Sequence, residues 1–119
     1  MAEPLRNADE LQKQLNEFQD LQRQLQFTIS QRQQMLLQLE EIKMAEEALS
    51  KSEKSVYRAI GPLLIESSKA DAVADLKEKR ELFDMRSQML SKQEEKLKPK
   101  LDELRTTLEK ALRENKFSK

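Results

Sequence analysis

Apolar residues recur every seven positions along the first half of the chain. Spacings of three and four residues over about five heptads are typical of a coiled-coil helix. We therefore predict a helix over residues 9–52, with Asp9 as its N-cap. The apolar rows are Leu11, Phe18, Leu25 and Leu39 with Arg32 in the gap; Leu15, Ile29 and Leu36 with Gln22 in the gap; and Leu21, Met35, Ile42 and Leu49.

The second half carries the same repeat, which predicts a second helix over residues 70–115. One of its rows is polar in the middle, and polar seam residues fix the register of a coiled coil while lowering its stability. Pro99 removes a backbone donor and clashes with the preceding turn, so the expectations are a bent but continuous helix or a helix break. The two rows are Leu76, Phe83, Leu90, Leu97, Leu104 and Ala111; and Val73, Arg80, Ser87, Glu94, Leu101 and Leu108.

The two repeats fit an antiparallel helical hairpin, in which facing residues are equally far from the turn. Phe18 with Leu104, and Leu39 with Phe83, are both centred on Gly61, the only glycine of the chain. The seam pattern does not depend on that glycine, so their agreement supports a turn at this position.

Residues 55–67, between the helices, are predicted to form a β-hairpin. β-Branched and aromatic residues flank Gly61-Pro62, a pair that favours a turn and disfavours the alternative of a helical turn. An isolated two-stranded hairpin is marginal in water, and its edges carry unpaired backbone groups. We therefore expect hairpins of several chains to join and close these edges. The residues assigned to this assembly are Val56, Tyr57, Arg58, Ile60, Gly61, Pro62, Leu63, Leu64 and Ile65.

The predicted fold is mainly α: a long antiparallel two-helix coiled coil joined by one β-hairpin that assembles into a multi-chain β-barrel platform. Residues 1–119 are expected to be one structural unit. Met35 falls opposite residues 85–89 in this register, where we expect a packed methionine layer. A methionine-rich binding surface is the alternative.

Composition favours ordered helices. Charged and apolar residues each make up 37% of the chain, a profile typical of coiled coils. Its 22 basic and 22 acidic residues cancel, whereas disordered chains usually carry a high net charge. Residues 1–55 hold seven basic and ten acidic side chains, a net charge of −3, and residues 69–119 hold fourteen and eleven, a net charge of +3. Opposite charges suit two helices that pair, and the interleaving of acids with bases argues against a nucleic-acid partner.

Residues suited to catalysis are scarce, and the sequence predicts a protein that is not an enzyme. It has no His and no Cys, which are the commonest general base, metal ligand and thiol nucleophile. We expect no catalytic residue, no metal and no cofactor. No window reaches the ~18 apolar residues of a membrane span, and the N-terminus lacks a signal-peptide core. The expected location is the cytoplasm, with no membrane partner.

The hairpin and the start of each helix resemble the β-class subunits of prefoldin. The hairpin "VYRAIGPLLIES" followed by "ADLKEKRE" is similar to the family pattern of a strand, a Gly turn, an aliphatic strand and a charged first helical turn. The Gln-rich run "LQKQLNEFQDLQRQLQFTISQRQQMLLQL" is also similar to the first helix of the family. A single hairpin points to the β-class rather than the α-class.

The resemblance implies a specific assembly and activity. Prefoldin is a heterohexamer of two α-class and four β-class subunits, with six coiled-coil arms on a double β-barrel platform. It holds non-native client proteins at the arm tips without ATP and passes them to a group II chaperonin. The alternative from a different class is a structural or tethering coiled coil that binds no clients.

The resemblance implies that the two ends of the chain together form the tip of an arm. Clients would contact apolar side chains there, whereas the competing interpretation is that most of these side chains pack in the seam. Leu5 and Phe117 lie beyond the clean seam and favour client contact. The full set of client-binding candidates is Leu5, Leu11, Leu15, Phe18, Leu108, Leu112 and Phe117.

Overall fold

The computed structural model describes residues 8–114, which form two helices and two strands. Helix α1 spans Ala8–Lys51, strand β1 spans Val56–Ile60, strand β2 spans Leu63–Ser67 and helix α2 spans Lys69–Glu114. The predicted internal boundaries at residues 52, 55, 67 and 70 each differ from the observed ones by no more than one residue. Residue 115, the predicted end of the second helix, lies outside the described residues. Asp9 lies inside the first turn of α1 rather than at its N-cap. A carboxylate there still interacts favourably with the positive end of the helix dipole.

Helix α2 continues through Pro99. The continuous helix is therefore confirmed, and the alternative of a break is wrong. Leu97 and Leu101 on either side of the proline are both buried, and this packing favours the helix despite the missing backbone donor.

The two strands pair in an antiparallel register in which Val56 faces Ser67 and Ile60 faces Leu63. Gly61 has a φ of 57°, a left-handed conformation that glycine adopts without strain. Pro62 cannot follow it into positive φ, so the turn has the positive φ at its first central position only, as in a type II′ turn. The predicted hairpin and its turn are thus confirmed.

Local hydrogen bonds fix the point where the hairpin joins the helices. The backbone N–H of Asp71 donates to Ser68 Oγ at 3.1 Å, which caps the start of α2. Lys69 Nζ donates to the carbonyl oxygens of Ser50 and Ser52, each at 3.3 Å. Ser50 is in the last turn of α1 and Ser52 follows its end, so the lysine satisfies carbonyl acceptors at the helix C-terminus.

The described residues fall into two compact units. The terminal unit comprises the chain up to Gln31 and from Leu90 onward, and the hairpin unit comprises Arg32–Met89. The core of the terminal unit contains Leu11, Leu108 and Ala111, with Leu15, Phe18 and Leu104 packed against them. The buried apolar residues of the hairpin unit are Leu39, Ile42, Leu49 and Ala72.

The burial pattern favours the third predicted row of α1, from Leu21 to Leu49, over the second. The third row also contains Thr28, which has 2% of its surface exposed. Gln22 and Leu36, which were expected in the seam, are exposed. The Thr28 hydroxyl donates to the Gln24 carbonyl at 2.8 Å, so it is satisfied within its own helix. In α2 the predicted rows hold, except that Ala72 is buried and Val73 is exposed.

The predicted methionine layer is wrong for its α2 members. Met35 is half-buried, but Met85 and Met89 are exposed. They lie with Leu82 at a spacing of three and four residues, which places all three on one side of α2. This side is not the seam, because the seam residues Phe83 and Ser87 are half-buried.

Candidate assembly surface and client-binding residues

The β-hairpin presents two apolar faces, because alternate residues of a strand point to opposite sides. The strand register puts Tyr57 on the same face as Leu64 and Glu66. The other face carries Arg58, Ile60, Leu63 and Ile65. We call the first the Tyr57 face and the second the Arg58 face.

The apolar side chains of the hairpin are exposed on both faces. Leu64 has 73% of its surface exposed and Tyr57 has 58%, and Ile60, Leu63 and Ile65 are exposed as well. Within residues 8–114 the sheet has two strands, so each strand keeps one edge without a β partner. A contiguous apolar patch beside open sheet edges marks an interaction surface.

A groove of about 710 Å³ lies in the hairpin unit, along β1 and the adjacent ends of the helices. The helices contribute small side chains to it, among them Ala45, Ala48 and Ala72. Leu49 and Leu76 of the helices line it as well.

Arg58 is directed towards its own chain. Its Nη2 lies 3.1 Å from Oδ2 of Asp75 on α2, and both side chains line the groove. Elsewhere in the hairpin unit, Arg80 Nη2 lies 3.7 Å from Oε2 of Glu46 and joins the two helices.

The client-binding candidates differ in exposure. Leu11 and Leu108 are buried in the core of the terminal unit, and Leu15 and Phe18 are half-buried against it. Leu112 has 43% of its surface exposed. The remaining candidates, Leu5 and Phe117, lie outside the described residues.

Comparison with known proteins gives one consistent result. A family model described as "Prefoldin subunit" matches residues 12–115. The prefoldin subunit beta of Thermococcus onnurineus is 39% identical over 106 residues, which cover 87% of this chain and 91% of the relative. The prefoldin subunit beta of Methanococcoides burtonii is 38% identical over 105 residues, which cover 87% and 90%.

Solved structures agree with the sequence match. The prefoldin beta subunit from Thermococcus strain KS-1 has a TM-score of 0.76 at 37% identity, covering 87% of this chain and 93% of that chain. The beta2 subunit from the same strain has a TM-score of 0.69 at 28% identity, covering 75% and 97%.

The chain belongs to the prefoldin family.

The resemblance seen in the hairpin and the Gln-rich helix is therefore confirmed. Prefoldin subunits are chaperone subunits and not enzymes, so the function of this chain is of the chaperone type. Among the described residues no group of three or more acidic side chains is placed to hold a metal ion. In the same part of the chain, no helix is both long and apolar enough to cross a bilayer.

Sequence reasoning missed several exposed side chains of this prefoldin subunit. Phe27, Leu37 and Met44 are exposed on α1. Leu37 and Met44 are seven residues apart and belong to none of the predicted rows, which was a signal that they lie outside the seam. Thr28 was also missed, although it fills the one gap in the row from Leu21 to Leu49.

Proposed function

We propose that this chain is a β-class subunit of an ATP-independent holdase. It joins two α-class and four β-class subunits in a heterohexamer, binds non-native proteins through apolar residues near its two ends, and delivers them to a group II chaperonin. It acts in the cytoplasm and needs no cofactor.

The observation that carries the proposal is the exposed apolar hairpin in a chain of this family. Side chains such as Leu64 lie open to water, and the strand edges lack β partners in the described chain. Pairing with the hairpins of other subunits would bury both, which supports assembly through Val56–Ile65 into a closed barrel.

Client binding is supported by the composition of the terminal unit. Leu112 is exposed and is available for contact, whereas Leu11 and Leu108 would become available only when the two helices separate locally. Leu15 and Phe18 are intermediate. Weak apolar contacts of this kind, repeated on several arms, add up through multivalency.

The second candidate, a tethering coiled coil without clients, is supported by the exposed side of α2. Leu82, Met85 and Met89 lie outside the seam of the hairpin unit, and their spacing suits docking of another helix.

The direct test is aggregation of a chemically denatured reporter enzyme, followed by light scattering without nucleotide. The chain is combined with an archaeal α-class prefoldin subunit. We expect the complex to suppress aggregation; unchanged scattering in the presence of an assembled complex would refute the holdase function.

Truncation separates the two candidates. Removal of residues 1–15 and 108–119 is expected to leave assembly intact and abolish client holding. If holding is unaffected, the client site lies elsewhere. If neither form holds clients but both bind another helical protein, the tethering function is correct.

A further inference from the structure

The Arg58 face of the hairpin places a guanidinium group close to a carboxylate of its own chain. The distance from Arg58 Nη2 to Asp75 Oδ2 is 3.1 Å, and the two side chains are 42% and 32% exposed. The pair thus links strand β1 directly to helix α2 across the groove.

Most apolar side chains of the Arg58 face are open to solvent. Ile60, Leu63 and Ile65 are exposed, and of these three only Ile60 lines the groove. Apolar packing is not directional and is sparse here, whereas an arginine–carboxylate contact has a defined geometry.

Helices α1 and α2 are also joined to each other within the hairpin unit. Lys69 Nζ donates to the Ser50 and Ser52 carbonyls, and Arg80 contacts Glu46. Asp75 lies on α2 between Lys69 and Arg80, so these contacts hold its position relative to α1. The contact with Asp75 can therefore hold strand β1 in a defined position.

We infer that Arg58 is a positioning residue. Through Asp75 it sets the angle between the hairpin and helix α2, and it does not contact a partner subunit. The inference rests on the proposed assembly through the hairpin. A half-exposed ion pair contributes little to folding stability. Its loss should therefore change assembly much more than it changes unfolding.

A double-mutant cycle tests this directly. The variants are Arg58→Ala, Asp75→Ala and the double substitution, each titrated with an archaeal α-class prefoldin subunit and measured by sedimentation velocity. We expect each single variant to weaken assembly by about tenfold, because a small loss recurs in each of the four β-class subunits of the proposed hexamer. The double variant should be no worse than either, since both substitutions remove the same contact. The thermal midpoint of the free chain should shift by no more than about 2 °C.

The matched control is Arg105→Ala, which removes an ion pair of the same 3.1 Å length to Asp102 in the terminal unit. It should leave assembly unchanged. The inference is overturned if Asp75→Ala assembles normally while Arg58→Ala does not, because Arg58 would then contact the partner. It is also overturned if the losses of the two single variants multiply in the double variant. A parent chain that forms no complex would instead refute the proposed assembly itself.

Discussion

The β-hairpin and the helix ends of the terminal unit contain similar apolar side chains but differ in how these are covered. In the hairpin, Leu64 has 73% of its surface exposed, whereas in the terminal unit Leu108 has 5% exposed. The hairpin cannot cover itself, because two strands have no second layer to pack against. The helix ends can, because each helix supplies the other with an apolar row.

Under the proposed function, this difference lets one chain make two kinds of contact. A surface that is open in the single chain suits a partner that is always present. Residues that pack on each other within the chain suit a partner that must compete for them, as a client would. The predictions below test each side of this comparison, from the largest expected effect to the smallest.

The largest effect is expected from Leu64→Asp on the Tyr57 face of the hairpin. A carboxylate buried at a subunit interface without a partner should weaken assembly by about 3 kcal/mol, or more than a hundredfold. Sedimentation velocity with the α-class subunit measures the loss, and circular dichroism should show unchanged helix content.

The control for this variant is Leu37→Asp, at a residue of α1 with 66% of its surface exposed. It should assemble normally. Equal loss in the two variants would mean that any exposed apolar residue matters, and that the hairpin is not a special surface.

The next effect concerns the core of the terminal unit. Leu108→Ala should lower the free energy of unfolding by about 2–3 kcal/mol, because it removes a buried side chain and leaves a cavity. Leu112→Ala, one turn further along α2, should cost less than about 1 kcal/mol since its side chain is 43% exposed. Urea unfolding followed by circular dichroism compares the two. Similar losses would show that Leu108 is not in a packed core.

The smallest effect concerns the turn that separates the strands. Gly61→Ala should destabilise the hairpin by about 1 kcal/mol, because an alanine resists the positive φ of this position. An added Cβ would meet no atom within 4 Å, so strain alone is responsible. Hydrogen exchange of the β1 and β2 amides should become faster while the helix amides are unchanged. Unchanged exchange in the strands would show that the turn does not require glycine.

Most of the fold was predictable from the sequence because two strong local signals coincide. The heptad rows define the helices, and Gly61-Pro62 defines the turn between them. Both signals depend on backbone geometry and apolar spacing, which a short window of sequence contains.

The details of packing were less predictable. Leu36 and Thr28 belong to neighbouring rows of α1, and apolar character alone favours Leu36. The structure buries Thr28, because the row it belongs to meets the facing helix. Likewise, the β-branched and aromatic residues beside Gly61-Pro62 predict the hairpin, but the contact of Arg58 with Asp75 joins residues 17 positions apart, and no periodic pattern links them.

The pairing of Leu11 with Leu108 and Ala111 has a consequence for how this family can change in length. Residues that face each other in the terminal unit are nearly equidistant from the turn at Gly61. A single inserted residue in α1 would rotate Leu11 by roughly 100° around its helix and out of this core. Arms of different length should therefore arise in evolution by mirrored insertions, one in each helix, added in whole heptads.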